Sequence, residues 1–198
     1  MIRTIIYAQY WKILQLFYSN HNISLHLRDI SRKIGLKESA TSRHLHALEK
    51  NNILKSYREA NLRKYSLKRE VISEIFTLFD QEKLEALPLL RKNALKFYVD
   101  RLKEKPIFII LFGSTAKGTF RENSDVDIIA VFNTKTNTKE ARKYAEAQTS
   151  IRMSEFQVTY NQFIQELKLK QDQVIQAGLE TGYPIYNQRF FYEVKNDG

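Results

Sequence analysis

Along the first third of the chain, apolar residues recur at the three- and four-residue spacing that gathers them on one side of a helix. From Tyr7 to Tyr18 the stripe is Tyr10, Ile13, Leu14 and Phe17. Leu27 to Ile34 predicts a second, shorter helix, stopped by Gly35, a residue suited to the left-handed turn that ends helices. A third follows after a very short turn in LKESATSRHLHALEKNNIL, where Thr41, Leu45 and Leu48 share one face and point to the core. Ile53 to Leu67 (ILKSYREANLRKYSL) then predicts two short strands around a polar tip.

Two further helical stripes come next. Arg69 to Ala86 carries Val71, Ile72, Ile75, Phe76 and Phe79, and Pro88 opens another helix from Leu89 to Leu102. Such stripes are usually core or dimer packing, and the Val71–Phe79 stripe alone does not separate dimerisation from packing against a second domain. After Pro106 the pattern turns strand-like: PIFIILFGS is a continuous apolar run, SDVDIIAVF a second strand and MSEFQVTY a third. The expected fold class is α+β, with residues 1–68 as helices plus a hairpin, 69–87 as a helical connector and 88–198 as a small mixed-sheet domain.

The composition narrows the setting. With 43% hydrophobic residues there is enough material for buried cores. No cysteine is present, which excludes disulfides and thiolate metal sites and makes a reducing cytoplasm the expected compartment. Lys12 and several polar residues interrupt the first helix, so it reads as a core helix, not a signal peptide, and no run is long enough to span a membrane. A net charge of +10 favours a polyanionic partner, nucleic acid or nucleotide phosphates, over a neutral one. His26, His44 and His46 lack a carboxylate or cysteine at ligand spacing and read as ordinary surface or core histidines.

The third helix leaves Ser39, Ser42, Arg43 and His46 on its outer face. Small hydroxyls let the backbone approach base edges, while the guanidinium reaches a guanine or a phosphate. Lys55, Arg58, Arg63 and Lys64 cluster near the hairpin tip. Helix, helix-turn-helix and basic two-stranded wing together resemble the winged helix-turn-helix domain of prokaryotic transcription regulators, over roughly residues 1 to 68. The resemblance implies that Ser39, Ser42, Arg43 and His46 face the groove of double-stranded DNA. It also implies that Arg58, Arg63 and Lys64 meet phosphates, and a homodimer is expected on a two-fold site. The family usually caps the recognition helix with Ser or Thr where this chain has Lys37. The same fold also serves protein contacts, with its charges simply solvated.

The chemistry-bearing stretch is GSTAKGTFRENSDVD, residues 113 to 127. Alternation along a strand puts Asp125 and Asp127 on one face, roughly 7 Å apart at their α-carbons. Two carboxylates held so in an apolar run repel and are desolvated unless a cation sits between them. Oxygen-only ligands select a hard ion such as magnesium. Gly113 lets the backbone approach a ligand, and Ser114 with the following turn can hold phosphate, with Lys117 adding charge.

This Gly-Ser, Asp-x-Asp arrangement resembles the polymerase-beta-type nucleotidyltransferase superfamily, especially its minimal bacterial and archaeal branch, which is often paired with toxin genes. The likeness runs from about Leu89 to the end and includes GYPIYNQRFF. It implies two Mg2+ ions on Asp125 and Asp127, and ATP or another nucleoside triphosphate on Gly113, Ser114, Lys117 and Ser124. It also implies a third carboxylate on a later strand. Glu155 in MSEFQVTY is the expected residue; if Gln157 stands there instead, the site has two acids and binds nucleotide better than it transfers it. The expected function is a DNA-binding protein whose Mg-dependent domain transfers AMP from ATP to a hydroxyl on a protein partner such as a toxin. The alternatives are a transcription regulator with a degenerate, nucleotide-sensing domain, or a transferase acting on a small molecule or RNA.

Overall fold

The computed structural model describes residues 8–19 and 24–197, so Tyr7, the expected start of the first helix, lies outside the described residues. The chain divides into two compact units between Phe79 and Asp80.

The first unit contains α1 (Ala8–Ser19), β1 (Leu25–His26), α2 (Leu27–Ile34), α3 (Glu38–Lys50), β2 (Leu54–Glu59) and β3 (Leu62–Leu67). A single 3-10 turn, Arg69–Val71, leads into α4 (Ile72–Glu85). Gly35 ends α2 with φ at 72°, and its N–H donates to the Ser31 carbonyl. No side chain of the expected register is misplaced on α3: Thr41, Leu45 and Leu48 are buried. The wing is an antiparallel pair, β2 with β3, extended by the two-residue β1 in the order β1-β3-β2. That short strand carries too few residues for a period-2 signal and was invisible in the pattern.

The apolar stripe of α4 has a definite partner. Phe79 lies against Trp11 with ring centroids 4.3 Å apart and stacks on Tyr18 at 5.0 Å, while Phe76 meets Tyr18 edge-on. These aromatic faces, each worth a large buried area, close the core of the first unit over α1. Of the readings offered for the stripe, core packing describes these contacts. The expected connector 69–87 is divided, because the boundary between units falls within α4.

The second unit continues with α5 (Leu89–Arg101), β4 (Phe108–Phe112), α6 (Gly113–Lys117), β5 (Val126–Phe132), α7 (Lys139–Thr149) and β6 (Met153–Thr159). It ends with α8 (Tyr160–Leu169), α9 (Gln173–Thr181), β7 (Tyr183–Tyr186) and α10 (Gln188–Asp197). The sheet is mixed, in the order β6-β5-β4-β7, with β5 and β6 parallel and the other pairs antiparallel. Strands β4 and β5 are central and covered on both sides, which is why they read as unbroken apolar runs. On one face Ile109, Leu111, Val126, Ile128, Ala130 and Phe132 share a core with Ala94, Leu95, Tyr98, Ala141 and Ala145 of α5 and α7. On the other, Phe108 packs on Phe163 of α8 at 4.9 Å and on Phe191 of α10 at 5.5 Å. Gly178 brings α9 so close to this face that a β-carbon would overlap Ile129. Among the described residues no helix is long and apolar enough to cross a membrane.

Candidate functional site

Asp127 is the second residue of β5, in register with Phe112 of β4 on one side and Ser154 of β6 on the other. Asp125 precedes the strand by one residue, close enough for its charge to act on Asp127. The turn after β4 is built around the same carboxylate. Gly113 has φ at +70°, and a β-carbon on it would overlap the Asp127 carboxylate oxygen. The glycine therefore serves the aspartate directly, beyond any service to a ligand. Burial first, and the neighbouring Asp125 charge second, hold the Asp127 carboxyl above its ordinary range, against the opposing pull of the Ser154 hydroxyl and the Arg91 guanidinium. A partly buried carboxyl beside a second acid makes a pair that favours a cation.

The third member is not where the resemblance expects it. Glu155 is in register with Ile128, and Gln157 with Ala130, so both lie on the opposite face of the sheet from Asp127. There the Thr138 hydroxyl donates to both Glu155 carboxylate oxygens, at 2.6 and 2.9 Å. Tyr98 is buried beside it, its hydroxyl pushed up by burial and then by the Glu155 charge. Gln157 is occupied with Thr136, donating to its carbonyl at 2.8 Å and accepting from its N–H at 3.0 Å. The expectation that Glu155 completes the aspartate pair is thus corrected by one step of strand register, and Gln157 fails for the same reason. Ser154 stands on the aspartate face instead. Among the described residues no group of three or more His, Cys, Asp or Glu gathers as a metal cluster. The donor set of Asp125, Asp127 and the Ser154 hydroxyl fits one hard cation that completes its shell with water or phosphate oxygens, and is sparse for two.

Gly113 also opens α6, whose five residues GSTAK end at Gly118 with φ at 71°. Ser114 is half-buried and Lys117 exposed. Ser124 is half-buried, its hydroxyl accepting from the Arg121 N–H at 2.9 Å, and it lines a small polar cleft with Asn123, Ser150 and Arg152. The structure therefore brings Gly113, Asp125 and Asp127 together, with Ser114 and Ser124 flanking them in the chain.

Sequence reasoning missed Arg91. Its side chain is 3% exposed, yet it carries a full charge into the domain. It donates to the Thr115 hydroxyl at 2.8 Å and to the carbonyls of Ser124 at 2.9 Å and Arg121 at 3.0 Å, and it lies over the Phe120 ring at 4.2 Å. Thr115 in turn donates to the Asp125 carbonyl at 3.3 Å. One guanidinium thus fastens α5 to α6 and to the loop that delivers the first aspartate, through both of its terminal nitrogens. Its desolvation is offset in part by the charges of Asp125 and Asp127. A signal existed: Arg91 falls on the stripe of Ala94, Leu95 and Tyr98, and an arginine on an apolar face must find partners.

In the first unit Ser39, Ser42, Arg43 and His46 are all exposed on one side of α3, opposite its buried face. Lys37 precedes the helix with extended backbone and gives it no side-chain cap. The wing cations divide. Arg58 is exposed and makes no ion pair among the described residues. Arg63 is held by Glu49 of α3 at 2.8 Å and donates to Ser56, and Lys64 is bonded to Glu59.

Residues 93–189 match the family described as Polymerase beta, Nucleotidyltransferase, and residues 6–64 match the MarR family. No curated protein matches the chain. Solved structures similar to its N-terminal part include the homodimeric winged helix-turn-helix DNA-binding domain of a possible ArsR-family transcriptional regulator from Mycobacterium bovis. It is 19% identical over 39% of this chain and 69% of that one, with a TM-score of 0.34. The transcriptional regulator HlyU from Vibrio vulnificus is 30% identical over 35% of this chain and 74% of its own, with a TM-score of 0.32. MepR, a transcription regulator of the Staphylococcus aureus multidrug efflux pump MepA, is 18% identical over 48% of this chain and 76% of its own, with a TM-score of 0.35. The chain is a MarR-type DNA-binding domain followed by a Polymerase beta, nucleotidyltransferase-type domain.

Proposed function

We propose that the protein is a DNA-binding regulator whose nucleotidyltransferase-type domain binds a Mg2+–nucleoside triphosphate, ATP foremost, and responds to it without efficient transfer. The observation that carries this reading is the register of β6: Ser154 faces Asp127, and Glu155 points to the opposite side of the sheet. Two carboxylates can hold one hard cation together with nucleotide phosphates. Taking a proton from an acceptor hydroxyl is a different task, and it needs a base within hydrogen-bond reach of that hydroxyl. Serine is a poor base for it. In this reading Asp125 and Asp127 hold the cation, Gly113, Ser114, Lys117 and Ser124 flank the phosphates, and Ser39, Ser42, Arg43, His46 and Arg58 meet duplex DNA. The protein would act as a homodimer on a two-fold site in the reducing cytoplasm, where its lack of cysteine is at home.

The second reading, transfer of AMP to a hydroxyl on a protein partner such as a toxin, keeps the same two aspartates and differs in the fate of the nucleotide. α-Labelled ATP with Mg2+ separates the two. Binding without label on any protein, lost in Asp127→Ala, supports the sensing reading. Label on a protein of the cell lysate, lost in Asp125→Ala and Asp127→Ala, replaces it with transfer. DNA affinity measured with and without Mg–ATP then tests the response itself; affinity unchanged at saturating nucleotide rejects it.

A further inference from the structure

We propose that the nucleotidyltransferase-type domain carries a second polyanion surface, a basic cleft between the end of α5 and the first half of α7 that takes the phosphate backbone of duplex DNA. The cleft encloses about 430 Å³ and is lined by Arg101 and Lys103 from one side and Asn137, Lys139, Glu140 and Lys143 from the other. Four cations thus meet one acid. Glu140 binds Arg101 at 2.8 Å and Lys103 at 3.3 Å, while Lys139 and Lys143 make no ion pair among the described residues.

That arrangement runs against local stability twice. Lys139 and Lys143 are four residues apart on one helix, a spacing at which like charges repel. Lys139 also opens α7 at the positive end of its dipole, where acids are favoured and cations are not. Local rules broken together, with no ion pair to Lys139 or Lys143 among the described residues, are expected where an outside partner supplies the missing charge. An exposed aromatic, Tyr144, stands beside the cleft with Arg101 at 5.4 Å from its ring centre.

The chemistry favours a phosphate backbone over an acidic protein. Lysine is a mobile point charge suited to phosphates that repeat along a strand, and it offers none of the planar fork that selects single carboxylates. Duplex DNA is the committed occupant because the same chain carries a MarR-type DNA-binding domain, and two sites on one chain raise each other's effective concentration for a polymer long enough to span both. The cleft lies apart from the Asp125–Asp127 pair and does not depend on how nucleotide is used there.

The test uses the full chain and a random-sequence duplex, with affinity followed by fluorescence anisotropy across a salt series. One variant combines Lys103→Gln, Lys139→Gln and Lys143→Gln. A control removes the same charge elsewhere on the domain, with Lys96→Gln, Lys168→Gln and Lys170→Gln. All six lysines are exposed, so both variants should fold as the parent does. Each lost phosphate contact lowers the slope of log K against log salt by about 0.9, so the cleft variant should lose about 2 to 3 from the slope and the control less than about 1. Equal losses in both variants would reduce the cleft to general charge. A slope unchanged in the cleft variant, or a loss seen with single-stranded RNA but not with duplex DNA, would also overturn the assignment.

Discussion

Gly113 and Asp127 are packed so closely that the glycine has no room for a β-carbon. The turn after β4 and the acid of β5 therefore form one unit, although 13 positions separate 113 from 127 in the chain apart from the two residues themselves. Gly113→Ala should fail in two ways. An alanine at a φ of +70° costs about 1 kcal/mol or more, and its methyl displaces the carboxylate. The expected result is a stability loss on the order of 1–2 kcal/mol in urea unfolding, with Mn2+ affinity down by roughly tenfold or more. Cation affinity at the parent level would remove Asp127 as a ligand.

Ser154 and Glu155 are neighbours in sequence on opposite faces of β6, so they should answer to different measurements. Ser154→Asp adds a carboxylate on the aspartate face and should tighten Mn2+ binding by roughly tenfold, since each added charged ligand strengthens a hard-ion site. Glu155→Gln should leave that binding alone. It should instead cost about 1 kcal/mol in stability by weakening the acceptor for Thr138. The reverse pattern would restore Glu155 to the metal site.

Much of this was legible because the relevant signals are local. The α3 register, the Gly35 stop and the Gly-Ser, Asp-x-Asp spacing all depend on residues within a turn or a strand of one another, and each fold element they imply is present. What escaped is relational. Whether Ser154 or Glu155 faces Asp127 is fixed by how β6 slides along β5, and a one-residue slip exchanges the two faces. The strand is an edge strand with mixed burial, so its own pattern gave no hydrophobic face to fix the choice. Arg91 escaped because its partners, Thr115, Arg121 and Ser124, are brought to it only by folding. The partner of the α4 stripe was hidden likewise, since apolar periodicity tells that a face is buried and not against what.

The Asp127 carboxyl carries a pH dependence whose sign is opposite to that of a salt-bridged acid. Its folded pKa is raised, by burial first and then by Asp125. The folded metal-free protein therefore holds this proton more tightly than the unfolded chain, and the stability it contributes is present below the unfolded value of about 3.9 and lost as pH rises through the raised one. Asp127→Asn should stabilise the metal-free protein at neutral pH and flatten that part of the profile. Thermal melts from pH 3 to 8 without divalent ions would show it; a variant less stable than the parent at pH 7 would mean the charge is already well compensated.

Arg91 should prove indispensable to the loop that carries Asp125. Arg91→Met keeps the apolar stem but leaves two loop carbonyls and the Thr115 hydroxyl without their donor. A loss of about 2–3 kcal/mol is expected in urea unfolding. Arg91→Lys should recover only a small part, because a single ammonium cannot span partners set around a planar fork. Recovery to near the parent value would show that charge alone, set against Asp125 and Asp127, is what the position supplies.

On the wing, Arg58 and Arg63 face each other across β2 and β3 but have different commitments. Arg58 has no ion pair among the described residues, whereas Arg63 is tied to Glu49 of α3. Arg58→Ala should lower the salt slope of DNA binding by about 1 and leave stability within about 0.5 kcal/mol of the parent. Arg63→Ala should do the converse in kind: it frees Glu49, whose carboxyl is held low by the Ser56 hydrogen bond and by Arg63, and it loosens the wing from α3. Because that ion pair is half exposed, the stability loss should stay below about 1 kcal/mol, and DNA affinity should fall with little change in slope. A full unit lost from the slope in Arg63→Ala would show that Arg63 leaves Glu49 for a phosphate when DNA is bound.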